Sequence, residues 1–183
     1  DNGEATFSIT GTATIGNTLS ITEDTTDPDG TGTLSYSWQS STDKSNWSKI
    51  STSSSYTITP EQEGKYIQAV ISYTDDEGFS ETVTTSNFNI PYVNNGKATF
   101  SITGTAAEGN TLSIYQDSAD PDGVGTLSYS WQTSSDNSTW SVVGTNATYT
   151  VGESEEGKKV RAVITYQDAQ GFNEIVTTST SNI

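Results

Sequence analysis

The sequence has no cysteine, no histidine and no methionine. Without cysteine, no disulfide can staple a small core, and no thiolate is available as a nucleophile or soft-metal ligand. Without histidine, the commonest general base and a common ligand of borderline metals are both missing. Enzyme chemistry therefore has little to work with, and none is assigned. Basic residues are also scarce: 7 against 23 acidic ones, for a formal charge of −16. That excludes a nucleic-acid partner, which needs Lys and Arg on its phosphates. It also argues against an anionic membrane surface. Apolar runs never exceed a few residues, so neither a transmembrane helix nor membrane insertion is expected. No signal peptide is present either. Asp1 therefore reads as the start of an excised fragment, with any export signal, anchor or catalytic domain lying outside it.

What is present is one passage written twice. The segment Ala5–Ala13 returns at Ala98–Ala106, and later landmarks follow at the same offset of 93 residues. Trp38 answers Trp131, Trp47 answers Trp140 and Gly78 answers Gly171. No gap interrupts the match between Ala5 and Ile183, and about 60% of paired positions are identical. A repeat of this length is a whole domain. Two domains are expected, residues 1–91 and 92–183, joined by a short linker near residues 90–97. Pro91 and the linker's length predict a semi-rigid, end-to-end pair. Ser and Thr make up about one third of the chain, which fits an extracellular or cell-surface protein better than a cytosolic enzyme.

Period-2 patterning dominates both copies. Leu34, Tyr36 and Trp38 alternate with Ser35, Ser37 and Gln39. Ile67, Ala69, Ile71 and Tyr73 alternate with Tyr66, Gln68, Val70 and Ser72. One face is apolar and the other polar, the pattern of antiparallel strands with one face on a core. Turn signals fall at Gly16-Asn17, Asp27–Gly30, Asp43–Asn46, Glu61–Gly64 and Asp75–Gly78. They leave room for about seven short strands per copy, near residues 5–10, 17–22, 33–40, 47–51, 55–59, 65–74 and 79–87. The fold class is all-β: two tandem immunoglobulin-like sandwiches with a core Trp on the third strand of each. Leu19 and Ala69 stand in for the absent cysteine pair.

Several elements occur in both copies: Gly-Thr-Ala after the first strand, Asp-Pro-Asp-Gly before Tyr-x-Trp-Gln, a second Trp, Tyr-Thr, Glu-Gly-Lys and Tyr-x-Asp. In this order they resemble the tandem Ig-like repeats of very large secreted bacterial surface proteins, including repeats-in-toxin-type adhesins. The resemblance covers nearly the whole chain and implies extender modules, some of which bind calcium at loops or junctions. The nine-residue calcium β-roll motif of that toxin class is absent, so the resemblance supplies no metal site by itself.

The residues do suggest one. Asp24, Asp27 and Asp29 lie between the second and third strands, and Asp75 lies between the sixth and seventh. In an Ig-like sandwich these loops share a pole. Asp117, Asp120, Asp122 and Asp168 occupy the matching positions in the second copy. Converging carboxylates repel unless a cation or hydrogen bonds compensate them. Calcium takes several such oxygens, whereas softer metals want His or Cys. Asn94, Asn95 or linker carbonyls could complete a shell in the second copy. The other reading is turn chemistry alone, since Asp-Pro-Asp-Gly turns for backbone reasons.

Trp47 and Trp140 follow a polar turn and fall out of phase with Ile50 and Val143. They read either as ligand-stacking residues or as aromatic lids over the sandwich edge. Glu81 and Glu174 share parity with core residues, which calls for a bulge after the turn glycine or for a basic or metal partner nearby. A hairpin turning near Asp76 would set Glu81 opposite Ile71. The expected role is an extender of a large secreted or surface bacterial protein. Its partners would be neighbouring repeats of the same chain, and it would be monomeric. The alternative is a carbohydrate-binding or protein-interaction module, taking a glycan or other cell-surface ligand, beside an unseen domain.

Overall fold

A computed structural model describes residues 2–183 of the chain. The chain forms two compact units that divide between Val93 and Asn94. No α-helix occurs among the described residues. In the first unit the strands are β1 (Thr6–Thr10), β2 (Thr18–Thr25), β3 (Ser35–Ser41), β4 (Ser48–Ser51), β5 (Ser55–Thr57), β6 (Tyr66–Thr74), β7 (Ser80–Thr84) and β8 (Phe88–Asn89). They build an antiparallel sheet β1-β2-β5 and a second sheet β4-β3-β6-β7, with β8 also on β6. The second unit repeats this with β9 (Thr99–Thr103), β10 (Thr111–Ser118), β11 (Ser128–Ser134), β12 (Ser141–Gly144), β13 (Thr148–Thr150), β14 (Lys159–Gln167), β15 (Asn173–Thr177) and β16 (Ser181–Asn182). Each unit is an immunoglobulin-like sandwich.

The last strand expected from the sequence ends early, at Thr84, and the short β8 follows beyond its expected end. Thr85 lies between them, and its hydroxyl accepts the Ala69 N–H at 3.0 Å while its own N–H donates to the Ala69 carbonyl at 2.9 Å. A side chain thus replaces one backbone acceptor of the ladder. Thr178 does the same against Ala162.

The alternating face becomes the core. Leu19, Trp38, Ile67, Ala69 and Ile71 are fully buried in one cluster, as are Leu112, Trp131, Val160, Ala162 and Ile164 in the other. Leu19 and Ala69 are therefore both part of the core, as expected for residues in the cysteine places. Trp38 still satisfies its polar atom: the indole N–H donates to the Ser53 carbonyl at 2.9 Å. Tyr56 packs on its ring at 5.9 Å, and Tyr149 packs on Trp131 at 5.7 Å.

The segment between the repeats is shorter than the pattern of Pro, Asn and Gly suggests. Ile90 is fully buried, and it exchanges backbone hydrogen bonds with Gly64 and Lys65. Tyr92 packs its ring over Gly64, filling the place of a Cβ. The Val93 N–H donates to Glu63 at 2.5 Å. Residues up to Val93 thus go with the first unit, two beyond the boundary expected from sequence. From Asn94 on, the contacts described below belong to the second.

Candidate metal centre

Two turns build the site in each unit. Asp27-Pro28-Asp29-Gly30 is a tight turn, closed by the Gly30 N–H on the Asp27 carbonyl at 3.1 Å. Proline presets its second position, and Gly30 takes a φ of +86° at the end. The Asp27 side chain caps the same turn, with Oδ1 accepting the Asp29 N–H at 2.7 Å. The second turn joins β6 to β7. Asp75 Oδ1 accepts the N–H groups of Glu77 and Phe79 at 2.9 and 2.8 Å. The Asp76 N–H donates to the Asp29 carbonyl at 3.2 Å and so crosses from one turn to the other.

This brings Asp27, Asp29 and Asp75 together, each offering a carboxylate oxygen within 4.8 Å of the others. Asp120, Asp122 and Asp168 gather in the same way in the second unit. At such spacing each pair of charges repels by roughly 1 kcal/mol in bulk water, and by roughly 3 kcal/mol at the effective dielectric of a partly buried site. Hydrogen bonds offset part of this, but one atom is left over. Asp75 Oδ2 is buried with no hydrogen-bond partner, and so is Asp168 Oδ2. Asp75 is 5% exposed and Asp168 6%. A buried carboxylate oxygen beside two other carboxylates calls for a positive partner.

Asp24 and Asp117 stay outside these clusters, unlike in the four-residue set read from the sequence. The pairing of β1 with β2 slips at this point, so that Thr6 faces Thr25 while Phe7 faces Glu23. Asp24 is the extra residue of that bulge. It is exposed, and it accepts the Ser8 hydroxyl at 2.8 Å. The slip between Gln116 and Ser118 strands Asp117 likewise, on Ser101 at 2.9 Å.

Two tyrosines join the site, although sequence parity assigned them only to the core. The Tyr73 hydroxyl accepts the Ala5 N–H and donates to Asp27 Oδ2, both at 2.8 Å. Tyr166 accepts from Ala98 at 2.8 Å and donates to Asp120 at 2.6 Å. Burial pushes both phenols up to about 12, helped by the neighbouring aspartate. The signal was in the spacing: Tyr73 and Asp75 are two apart along an extended chain and so share a face. Each tyrosine thus ties the residue before the first strand to the acidic turn.

Asparagines complete this tether. The Asn2 N–H and side-chain amide donate to the two oxygens of Asp29 at 2.7 and 2.9 Å. These bonds, the side-chain one foremost, hold the Asp29 carboxyl below its usual range. Asn95 clamps Asp122 in the same way at 2.6 and 3.0 Å. The linker asparagine thus donates to the acidic cluster through its amide, where the sequence suggested an oxygen ligand. Asn94 donates to the buried Glu174 at 2.5 Å, a neutral amide where the sequence suggested a basic or metal partner. The register sets Glu174 opposite Tyr166 and Glu81 opposite Tyr73, not Ile71. A five-residue turn, closed by the Asp75 N–H on the Phe79 carbonyl, causes the difference.

The two outer tryptophans are not equivalent. Both are half-buried. The Trp47 indole donates to the Lys44 carbonyl at 3.2 Å. Trp140 carries the Arg161 guanidinium over its ring at 4.0 Å, and the matching residue in the first unit is Gln68. One ring face of Trp140 is therefore already taken.

No protein-family model matches the chain, and no curated protein matches it. Among solved structures it is similar to a 1.5-MDa bacterial ice-binding adhesin, at 12% identity and a TM-score of 0.35, over 100% of this chain and 65% of that one. It is similar to a Ca2+-stabilized adhesin with which an Antarctic bacterium binds ice, at 12% identity and a TM-score of 0.34, over 100% and 49%. It is also similar to the chicken CNTN1 FN1–FN3 domains, at 11% identity and a TM-score of 0.31, over 96% and 66%. The chain thus spans less than two thirds of each of these chains. Likeness at this level carries no conclusion about function. Among the described residues, no helix is long and apolar enough to cross a membrane.

Proposed function

We propose that the chain is a pair of extender domains from a large secreted or cell-surface bacterial adhesin-like protein, with a calcium ion in each unit. The carboxylates of Asp27, Asp29 and Asp75 would hold one ion, and those of Asp120, Asp122 and Asp168 the other. The observation that carries this reading is the duplicated cluster, in which each copy keeps a buried carboxylate oxygen without a partner. Hard, oxygen-rich ligation suits calcium, which accepts six to eight oxygens in flexible geometry. Each cluster is also bonded to the segment that leads into its own unit, through Asn2 and Ala5 or through Asn95 and Ala98. An ion there would stiffen the segment preceding each sandwich. For an extender, that is the useful place. The alternative of a ligand-stacking module is less favoured, because Arg161 already lies on one face of Trp140.

Calcium binding to the folded state stabilises it by RT ln(1 + [L]/Kd), or roughly 1–3 kcal/mol at 10 to 100 times Kd. For domains of this size, the melting temperature should rise by roughly 5–20 °C between chelator and saturating calcium. An unchanged melting curve, with no heat in calorimetric titration at millimolar calcium, would remove the metal from the account. Small-angle scattering in the same two conditions tests the extender role. Profiles of a stiffer particle in calcium are expected, and identical profiles would count against a calcium-stiffened spacer.

A further inference from the structure

The three carboxylates match between the units, but the residue after the last of them does not. This inference rests on the calcium reading above and concerns how the two sites differ. In the first unit that residue is Asp76, and its carboxylate lies against Gly30, the neighbour of Asp29. A Cβ on Gly30 would meet Asp76 Oδ2 at 2.5 Å. Glu77 follows, and both side chains are exposed. In the second unit the place is taken by Ala169, whose methyl would lie 3.3 Å from a Cβ on Gly123. Gln170 follows, with its amide oxygen buried and without a partner. The backbone is the same in both: Asp76 donates to the Asp29 carbonyl and Ala169 to the Asp122 carbonyl, each at 3.2 Å. Both sites keep the buried, unpartnered oxygen, on Asp75 or Asp168, that calls for a cation.

The charge beside the three carboxylates therefore differs, and so does burial at one of them, Asp29 being partly exposed where Asp122 is buried. The first site has two acidic neighbours on its hairpin, and the second has a methyl group and a neutral amide. We propose that the sites are graded: the first unit takes a divalent, oxygen-preferring cation first, and the second fills at higher concentration. An extra carboxylate a few ångströms beyond the ligands, through largely aqueous surroundings and at moderate salt, strengthens binding of a divalent ion by roughly three- to tenfold. The chain then responds to calcium in two steps, which two identical sites could not do.

The test uses calorimetric calcium titration of the full chain and four variants. Asp168→Asn should leave the tighter site and Asp75→Asn the weaker one, their constants differing by roughly three- to tenfold. Asp76→Ala should loosen the tighter step to near the weaker, and Ala169→Asp should tighten the weaker step. More salt should shrink all these differences. Asp76 and Ala169 are exposed, and their turns are closed by backbone and by Asp75 or Asp168. The two swaps therefore decide the matter even if an Asn variant folds poorly. Equal constants at the two sites, unmoved by either swap, would overturn the grading and leave the calcium reading standing. Absence of binding in the parent chain would end both.

Discussion

The first and second units share most of their interiors, Ile58 and Ile67 giving way only to Val151 and Val160, and differ more on their surfaces. Trp38 and Trp131, Tyr73 and Tyr166, and the three clustered aspartates sit in the same contacts in both. At Gln68 and Arg161 the units diverge. Gln68 donates to Gln39 at 2.9 Å, whereas Arg161 donates to Gln132 at 2.8 Å and also covers Trp140. In the first unit a cation still reaches an aromatic, but by another route: Lys44 lies 4.2 Å over Tyr66. At Glu4 and Lys97 they diverge again, and only Lys97 reaches an edge carbonyl, that of Ile175 at 3.0 Å. Close packing tolerates few volume changes, while outer-face polar contacts are each worth little and are readily exchanged. The acidic pole is mostly buried, and its three aspartates recur in both units. It behaves in this comparison like core rather than surface, and packing alone does not require that.

The largest effect that would break the comparison is in the core. Trp38→Ala should destabilise the first unit by roughly 3–5 kcal/mol, and Trp131→Ala the second by as much. Thermal unfolding of each variant should show one transition moved and the other in place. If Trp47→Ala and Trp140→Ala cost as much, the division into buried and outer tryptophans is mistaken.

Next come the tyrosines. Tyr73→Phe and Tyr166→Phe should each cost roughly 1–3 kcal/mol, because a backbone N–H and an aspartate each lose a buried partner. Denaturant melts with an unchanged m-value would check this. The same pair predicts an alkaline limit. Their folded values, about 12, lie above the ordinary tyrosine value of 10. The folded state therefore holds protons that the unfolded chain has released between these two pH values. The stabilisation is complete below pH 10 and is lost as pH rises through 12. The double Phe variant should flatten that slope, and a slope unaltered by it would assign the alkaline transition to other groups.

The smallest effect concerns the outer faces. Arg161→Gln should lose about 0.5–1 kcal/mol in the second unit, the value of an exposed cation–π contact. Gln68→Arg should recover a similar amount in the first only if the guanidinium can lie on Trp47. Trp fluorescence and melting of the paired variants would show whether the two faces can be interchanged.

Much of the fold was legible because it follows from a local rule. Alternation of two along Leu34–Gln39 and Tyr66–Tyr73 places side chains on opposite faces whatever their surroundings, and the turns come from Gly, Pro and Asp acting on their own backbone. The site was half legible. Asp27, Asp29 and Asp75 stand in turns that topology brings to one pole. Asp24 stands one bulge away, and a bulge depends on how two strands register, which no local pattern records. Glu81 was paired with the wrong residue for a similar reason, since the length of the turn closing at Phe79 decides its neighbour.

By itself, the sequence determined the duplication, the sandwich class, the buried tryptophans and which loops carry acid, because each rests on spacing, composition or backbone preference. Only the tertiary structure decided that the cluster has three members and not four, that Tyr73 and Tyr166 tie it to the start of each unit, and that Asn2 and Asn95 clamp it. It alone showed the one oxygen on Asp75 and on Asp168 that is left unsatisfied. These depend on groups far apart in the chain, such as Ala5 and Tyr73 or Asn95 and Asp122. The hydrogen bonds that join them exist only once the two sheets have closed around a common core.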